Sequence, residues 1–131
     1  MVEKVLEALP EAQIIPIPGP SALAAVLSVA GIEIDRFLFL GFLPIKKHRK
    51  EFLRQIVESE YPVVFYESPY KILKTLKEIN DLKPNLKVIV AKELTKIFEK
   101  VYRGDLKEVV NQIEKDKPRG EYAVIIQSLL Q

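Results

Sequence analysis

Val63-Val64-Phe65-Tyr66-Glu67-Ser68-Pro69-Tyr70-Lys71-Ile72-Leu73 is the stretch that decides the fold. Val63 to Tyr66 is apolar and β-branched or aromatic, the composition of a strand. Ser68-Pro69 then reads as a helix start, with serine at the cap and proline in the first turn. Beyond it Ile72, Leu73, Leu76 and Ile79 recur at helical spacing. A strand that feeds directly into an amphipathic helix is the repeating unit of an α/β sheet, and the rest of the chain can be tested for the same unit.

Upstream, Phe52, Leu53, Ile56 and Val57 lie on one face of a helix expected over Lys46 to Glu58. Phe37 to Leu43 is a continuous apolar run ended by Pro44, which reads as an interior strand. Pro20 to Ala30 has proline in its first turn and Gly31 just past its end, and it is apolar all round except at Ser21 and Ser28, so a buried helix is expected. Ile14 to Ile17 is a strand candidate, with Pro16 placing it at an edge or a crossover. Val2 to Leu9 has helical spacing and is stopped by Pro10.

Downstream, Lys87 to Ala91 is a buried strand and Phe98 to Arg103 an extended one broken by Gly104. Asp105 with Glu108 three residues later resembles a capping box before a helix bearing Leu106, Val109, Val110 and Ile113. Arg119-Gly120 turns the chain into a last strand, Tyr122 to Gln127. The fold class is therefore α/β, a mixed β-sheet flanked by helices, with the adjacent pair near 87 to 103 antiparallel.

The composition excludes several chemistries. With 131 residues, 48% hydrophobic and 29% charged, the chain has the make-up of one globular domain. It has no cysteine and one histidine, His48, which removes thiolate nucleophiles, disulfides and cysteine-ligated metals and argues against a histidine-based metal site. No apolar run approaches the roughly 18 residues of a membrane span, and Met1-Val2-Glu3-Lys4 does not open a secretory signal, so a cytoplasmic setting is expected. A net charge of +2 is too small to imply nucleic acid without local clustering.

Such clustering exists at Lys46-Lys47-His48-Arg49-Lys50, extended by Arg54. Positive charge in a first helical turn opposes the dipole, so two readings stand: a solvated face, or a surface for a polyanion. Ligands of open α/β sheets sit beyond the carboxyl ends of strands. Ser21, Glu67-Ser68 and Lys92-Glu93-Leu94-Thr95-Lys96 fall at such ends. Each also has a structural reading: Ser68 as a helix cap, Glu67 as a solvated strand end, and Glu93 with Lys92 and Lys96 as a surface ion-pair cluster. Pro18-Gly19-Pro20 gives a stiff backbone with no side chain at its centre, which suits either a turn or a close approach by a ligand.

Four stretches in order, Pro18-Gly19-Pro20-Ser21-Ala22, Asp35-Arg36-Phe37 through Leu40-Gly41-Phe42-Leu43-Pro44, Phe65-Tyr66-Glu67-Ser68-Pro69 and Lys92-Glu93-Leu94-Thr95-Lys96, resemble the C-terminal half of the tetrapyrrole methylase (class III) family of S-adenosylmethionine-dependent methyltransferases, in its ribosomal RNA branch. The resemblance implies two α/β domains with S-adenosyl-L-methionine bound, kinked, in the cleft between them, usually in a homodimer. It places Pro18, Gly19, Ser21, Ala22, Tyr66, Glu67 and Ala91 at the cofactor. It implies methyl transfer to a ribose 2′-hydroxyl of 16S rRNA in the small ribosomal subunit, with Lys46, Lys47, His48, Arg49 and Lys50 facing the RNA. No catalytic residue is assigned by it, and Glu93 and Lys96 are the polar candidates near the substrate. Residues 1–17 are expected to be the end of a missing N-terminal domain and its linker, and 18–131 the C-terminal methyltransferase domain, inactive alone. Two alternatives stay open: a non-catalytic RNA-binding or dimerisation module, and a family domain acting on a tetrapyrrole.

Overall fold

A computed structural model describes residues 1–127. Five strands, β1 (Leu38–Phe42), β2 (Val63–Glu67), β3 (Lys87–Lys92), β4 (Lys100–Asp105) and β5 (Tyr122–Ile126), form one sheet in the order β1-β2-β5-β3-β4. β1 and β2 are parallel, and β5 runs antiparallel to both β2 and β3, as β4 does to β3. The sheet is mixed, and the 87–103 pair is antiparallel as its sequence suggests. The last strand takes the centre because every one of its residues, Tyr-Ala-Val-Ile-Ile, can be buried, and all five are.

The helices are α1 (Val2–Ala8), α2 (Ala22–Ser28), α3 (Arg49–Glu58), α4 (Ile72–Leu82) and α5 (Leu106–Asp116). Side chains alternate across a strand, so β2, β3 and β5 feed two separate cores. Val63 and Phe65, Val88 and Val90, and Val124 and Ile126 join Leu53, Ile56, Ile72, Leu76, Ile79 and Ile113 of α3, α4 and α5 on one face. Val64, Ile89, Ala91, Ala123 and Ile125 meet Val26 and Ala30 on the other, which carries α2. None of the described helices is long and apolar enough to cross a membrane.

Several expectations need correction. Ile14 to Ile17 is not a strand: Pro16 and Pro18 remove donors at alternate positions, and Ile15 and Ile17 remain exposed. β1 is an edge strand rather than an interior one, with Phe39 and Phe42 exposed. α2 buries one face rather than all of them, since only Val26 within it is fully covered. α4 starts at Ile72, not at Pro69; Ser68 caps nothing with its hydroxyl, but its carbonyl accepts from the Lys71 and Ile72 amides in the turn ahead of the helix. Gly104 lies inside β4 rather than ending it. Asp105 is the N-cap residue of α5 but makes no capping bond, because its carboxylate pairs with Lys87 at 2.8 Å. The last strand stops at Ile126, and residues 128–131 of the expected 18–131 domain lie outside the described residues.

Candidate functional site

β1, β2 and β3 point the same way and end at Phe42, Glu67 and Lys92, while β5 begins beside them at Tyr122. Over these ends, on the α2 face, lies a pocket of about 230 Å³ lined by Ala22, Phe42, Tyr66, Ala91, Leu94 and Ala123, with Glu93, Lys96, Glu121 and Tyr122 at its polar side. A second groove of about 440 Å³ shares Ala22 and Leu94 with it and runs along Gly19, Pro20, Ser21 and Thr95. Of the residues expected at a cofactor, the fold thus brings Gly19, Ser21, Ala22, Tyr66 and Ala91 together from three chain segments. Pro18 borders neither opening.

Glu67 goes elsewhere, and strand parity is the reason. It shares the face of Val63 and Phe65, opposite Tyr66, so its side chain points toward α4. There the carboxylate is buried, accepting from the Ser68 amide (2.8 Å) and from the Thr75 hydroxyl (2.8 Å). Ser21 caps α2 weakly, accepting from the Ala24 amide at 3.4 Å, and still borders the groove.

Phe42 enters the pocket through a bulge. Phe39 pairs with Val64 and Phe42 with Tyr66, so β1 uses one more residue than β2 over this span. Gly41, at φ 63°, absorbs the extra residue, and the shift turns Phe39 and Phe42 toward the same ring. Both stack edge-on against Tyr66, at centroid distances of 5.2 and 5.4 Å. A glycine inside an apolar run is the sequence signal for this bulge. Ala123, the one small residue of β5, marks the floor in the same way.

The polar side is tied together by hydrogen bonds. Glu93 at φ 50° and Thr95 at φ 66° hold a backbone conformation that side chains disfavour. Glu93 accepts from the Glu121 amide at 2.8 Å and from Lys96 Nζ at 3.3 Å, and Lys96 also reaches Glu121 at 3.2 Å. The Glu121 amide and then Lys96 hold the Glu93 carboxyl below its ordinary range, and the two carboxylates raise Lys96, with Glu121 the stronger cause. A carboxylate engaged in this way is a poor proton acceptor, so the group suits shaping and orienting more than general-base work.

The basic stretch divides. Lys46, Lys47 and Lys50 are exposed, His48 bonds Glu51 at 2.9 Å, and Arg49 is buried in an internal network. His48 is left-handed (φ 63°), so α3 begins at Arg49 and the two lysines precede it. Arg49 is thus removed from the expected RNA-facing set, because its guanidinium points inward to Glu78, Thr75 and the Pro44 carbonyl.

The mixed sheet, with a largely apolar pocket over its strand ends, is an α/β domain of the kind in which ligands sit beyond the carboxyl ends of strands. The family model of the tetrapyrrole (corrin/porphyrin) methylases matches residues 1–110, and the chain belongs to that family. The Thermotoga maritima protein named ribosomal RNA small subunit methyltransferase I is 37% identical over 110 residues, covering 84% of this chain and 50% of that protein. A Helicobacter pylori protein of the same name is 36% identical over 117 residues, covering 84% of this chain and 40% of its own. The chain therefore spans half the length, or less, of these relatives. A cobalt precorrin-4 methyltransferase structure, 16% identical, superposes over 96% of this chain and 56% of its own with a TM-score of 0.67, which establishes the shared fold.

Proposed function

We propose that this chain forms one wall of the cofactor cleft of an S-adenosyl-L-methionine-dependent methyltransferase acting on a ribose 2′-hydroxyl of 16S rRNA. The observation that carries it is the convergence of Ala22, Tyr66, Ala91 and Ala123 on one pocket over the strand ends, in a chain 37% identical to a ribosomal RNA small subunit methyltransferase. The residues fit an adenosyl group: alanines leave room, Tyr66 and Phe42 offer apolar faces, and Ser21 and the Glu93–Lys96–Glu121 cluster supply polar contacts. The chain spans half the length, or less, of these relatives, which supports a half-cleft completed by a further N-terminal domain; the assembly proposed for the whole enzyme is a homodimer. The cofactor would supply an activated methyl group. The chain's own contribution is alignment of the reactants, which accounts for much of the rate of an in-line displacement. Lys46, Lys47 and Lys50 supply the phosphate contacts.

The test joins this chain to the N-terminal half of a relative. The joined protein is expected to methylate 16S rRNA at a ribose 2′-hydroxyl, while the chain alone shows no micromolar affinity for S-adenosylmethionine by calorimetry. Reversing Lys46, Lys47 and Lys50 to glutamate in the joined protein is expected to weaken rRNA binding and flatten its salt dependence. Transfer to a tetrapyrrole instead, or rRNA affinity unmoved by the reversal, overturns the reading.

A further inference from the structure

Arg49, Thr75 and Glu67 form a continuous chain of hydrogen bonds between the two ends of the proposed site. The Arg49 guanidinium donates to Glu78 Oε2 from Nε (3.0 Å) and Nη2 (2.5 Å), to the Pro44 carbonyl from Nη1 (3.1 Å), and to the Thr75 hydroxyl from Nη2 (2.9 Å). The Thr75 hydroxyl in turn donates to Glu67 Oε2 (2.8 Å), and Glu67 Oε1 accepts from the Ser68 amide (2.8 Å). Arg49, Thr75 and Glu67 are all buried. One end of the chain is thus the exit from β1 and the start of α3, beside the exposed Lys46, Lys47 and Lys50. The other is the end of β2, immediately after the pocket residue Tyr66.

Cohesion is a weak reason for this arrangement. Buried ion pairs return little net stability, and apolar residues of like volume hold a core as well or better. What a fork-shaped guanidinium and a hydroxyl that both accepts and donates provide is fixed direction and distance. We propose that Arg49, Thr75 and Glu67 are positioning residues: they hold the basic stretch 46–50, the turn before α3 and its first residues, at a set place relative to the strand end that carries Tyr66, so that an RNA backbone gripped by the exposed lysines is registered against the cofactor pocket. This rests on the function proposed above. None of the three touches the reacting atoms.

Amide hydrogen exchange by NMR on the chain itself tests it, with Val124 in central β5 as internal reference. In Thr75→Val, the exchange rates of Ser68 at one end and of Arg49 and Phe52 at the other, whose amides bond to Lys46 and His48 carbonyls, are expected to rise about tenfold more than that of Val124, as loss of a buried hydrogen bond allows. Thr75→Ser, which keeps the hydroxyl, should restore both ends. Should Thr75→Val fail to fold, Arg49→Lys gives the same pattern, since an ammonium cannot hold the fork. A uniform rise at all four amides, or a rise at one end alone, overturns the relay. Neither RNA nor cofactor enters this measurement, so a failed transfer assay sinks the function and leaves the exchange pattern standing, while a failed exchange pattern sinks the relay alone.

Discussion

The two faces of the sheet are built differently. On one, α3, α4 and α5 bank against Phe65, Val90, Tyr102 and Val124, and the large side chains Ile72, Leu76, Ile79 and Ile113 are fully buried. On the other, a seven-residue α2 brings Val26 over Val64, Ile89 and Ile125, and toward the strand ends the sheet presents Ala91 and Ala123. Burial scales with the area removed from water, so the first face supplies most of the cohesion. The second has small residues where a ligand would need room. The bulk of the core and the small residues that line the pocket thus lie on opposite faces of the sheet.

The largest effect expected from this contrast is on stability. Leu76→Ala should cost about 2.4 kcal/mol in transfer alone, three methylene equivalents, and up to about 5 kcal/mol with the cavity it leaves in the thick core, whereas Val26→Ala on the thin face should cost about 1.6 kcal/mol, two methylene equivalents, with little added because α2 can settle onto the sheet. Urea unfolding of both variants checks the difference. Equal costs would mean that α2 is as integral to the core as α4, and the division of labour between the faces would fail.

Much of this was legible in the sequence, for identifiable reasons. The strand and helix of Val63 to Ile79 follow from local spacing, and so do the buried stripes of α3 and α5, because amphipathic periodicity is a property of neighbours along the chain. Glu67 and Arg49 were misplaced for a different reason. A carboxylate after a strand and an arginine in a basic run look exposed in one dimension; only the parity of β2 and the packing of α3 on α4 turn both inward to meet at Thr75. The edge position of β1 was equally hidden, since a run of apolar residues does not say how many strands flank it. The pocket was legible in part: Gly19, Ser21, Ala22, Tyr66 and Ala91 border the two openings, while Phe42 and Ala123 depended on a bulge and a central strand.

A smaller effect sharpens the contrast at the rim of the thin face. Gly120 sits at φ 75°, and a Cβ there would lie 2.4 Å from Glu93 Cγ, Cδ and Oε1. Gly120→Ala must therefore adopt a left-handed backbone and push the Glu93 side chain off the Glu121 amide, for a cost of about 1–2 kcal/mol. Thermal unfolding checks the cost. The NMR shifts of Glu121 and Lys96 should move while those of α4 and α5 stay in place; shifts spreading to Leu76 would show that the two faces are coupled.

The smallest effect is one of pH, and it isolates the charge of Glu93 from its packing. The Glu121 amide, followed by Lys96, holds this carboxyl below the ordinary value of 4.5. A depressed carboxyl stabilises the fold above its unfolded pKa, and the contribution fades as pH falls through the folded one. Asp116 is held down in the same direction, by Lys100 and then by Tyr102, so acid unfolding of the wild type alone mixes the two. Glu93→Gln separates them, because glutamine still accepts from the Glu121 amide but carries no charge for Lys96. The variant should unfold at lower urea than the wild type near about pH 7, with the gap narrowing as pH falls below 4.5 and through the lowered pKa of the folded carboxyl. A gap that does not narrow anywhere in the acid titration would mean that Glu93 is held by its fit against Gly120, and that its ion pair with Lys96 adds nothing to the rim.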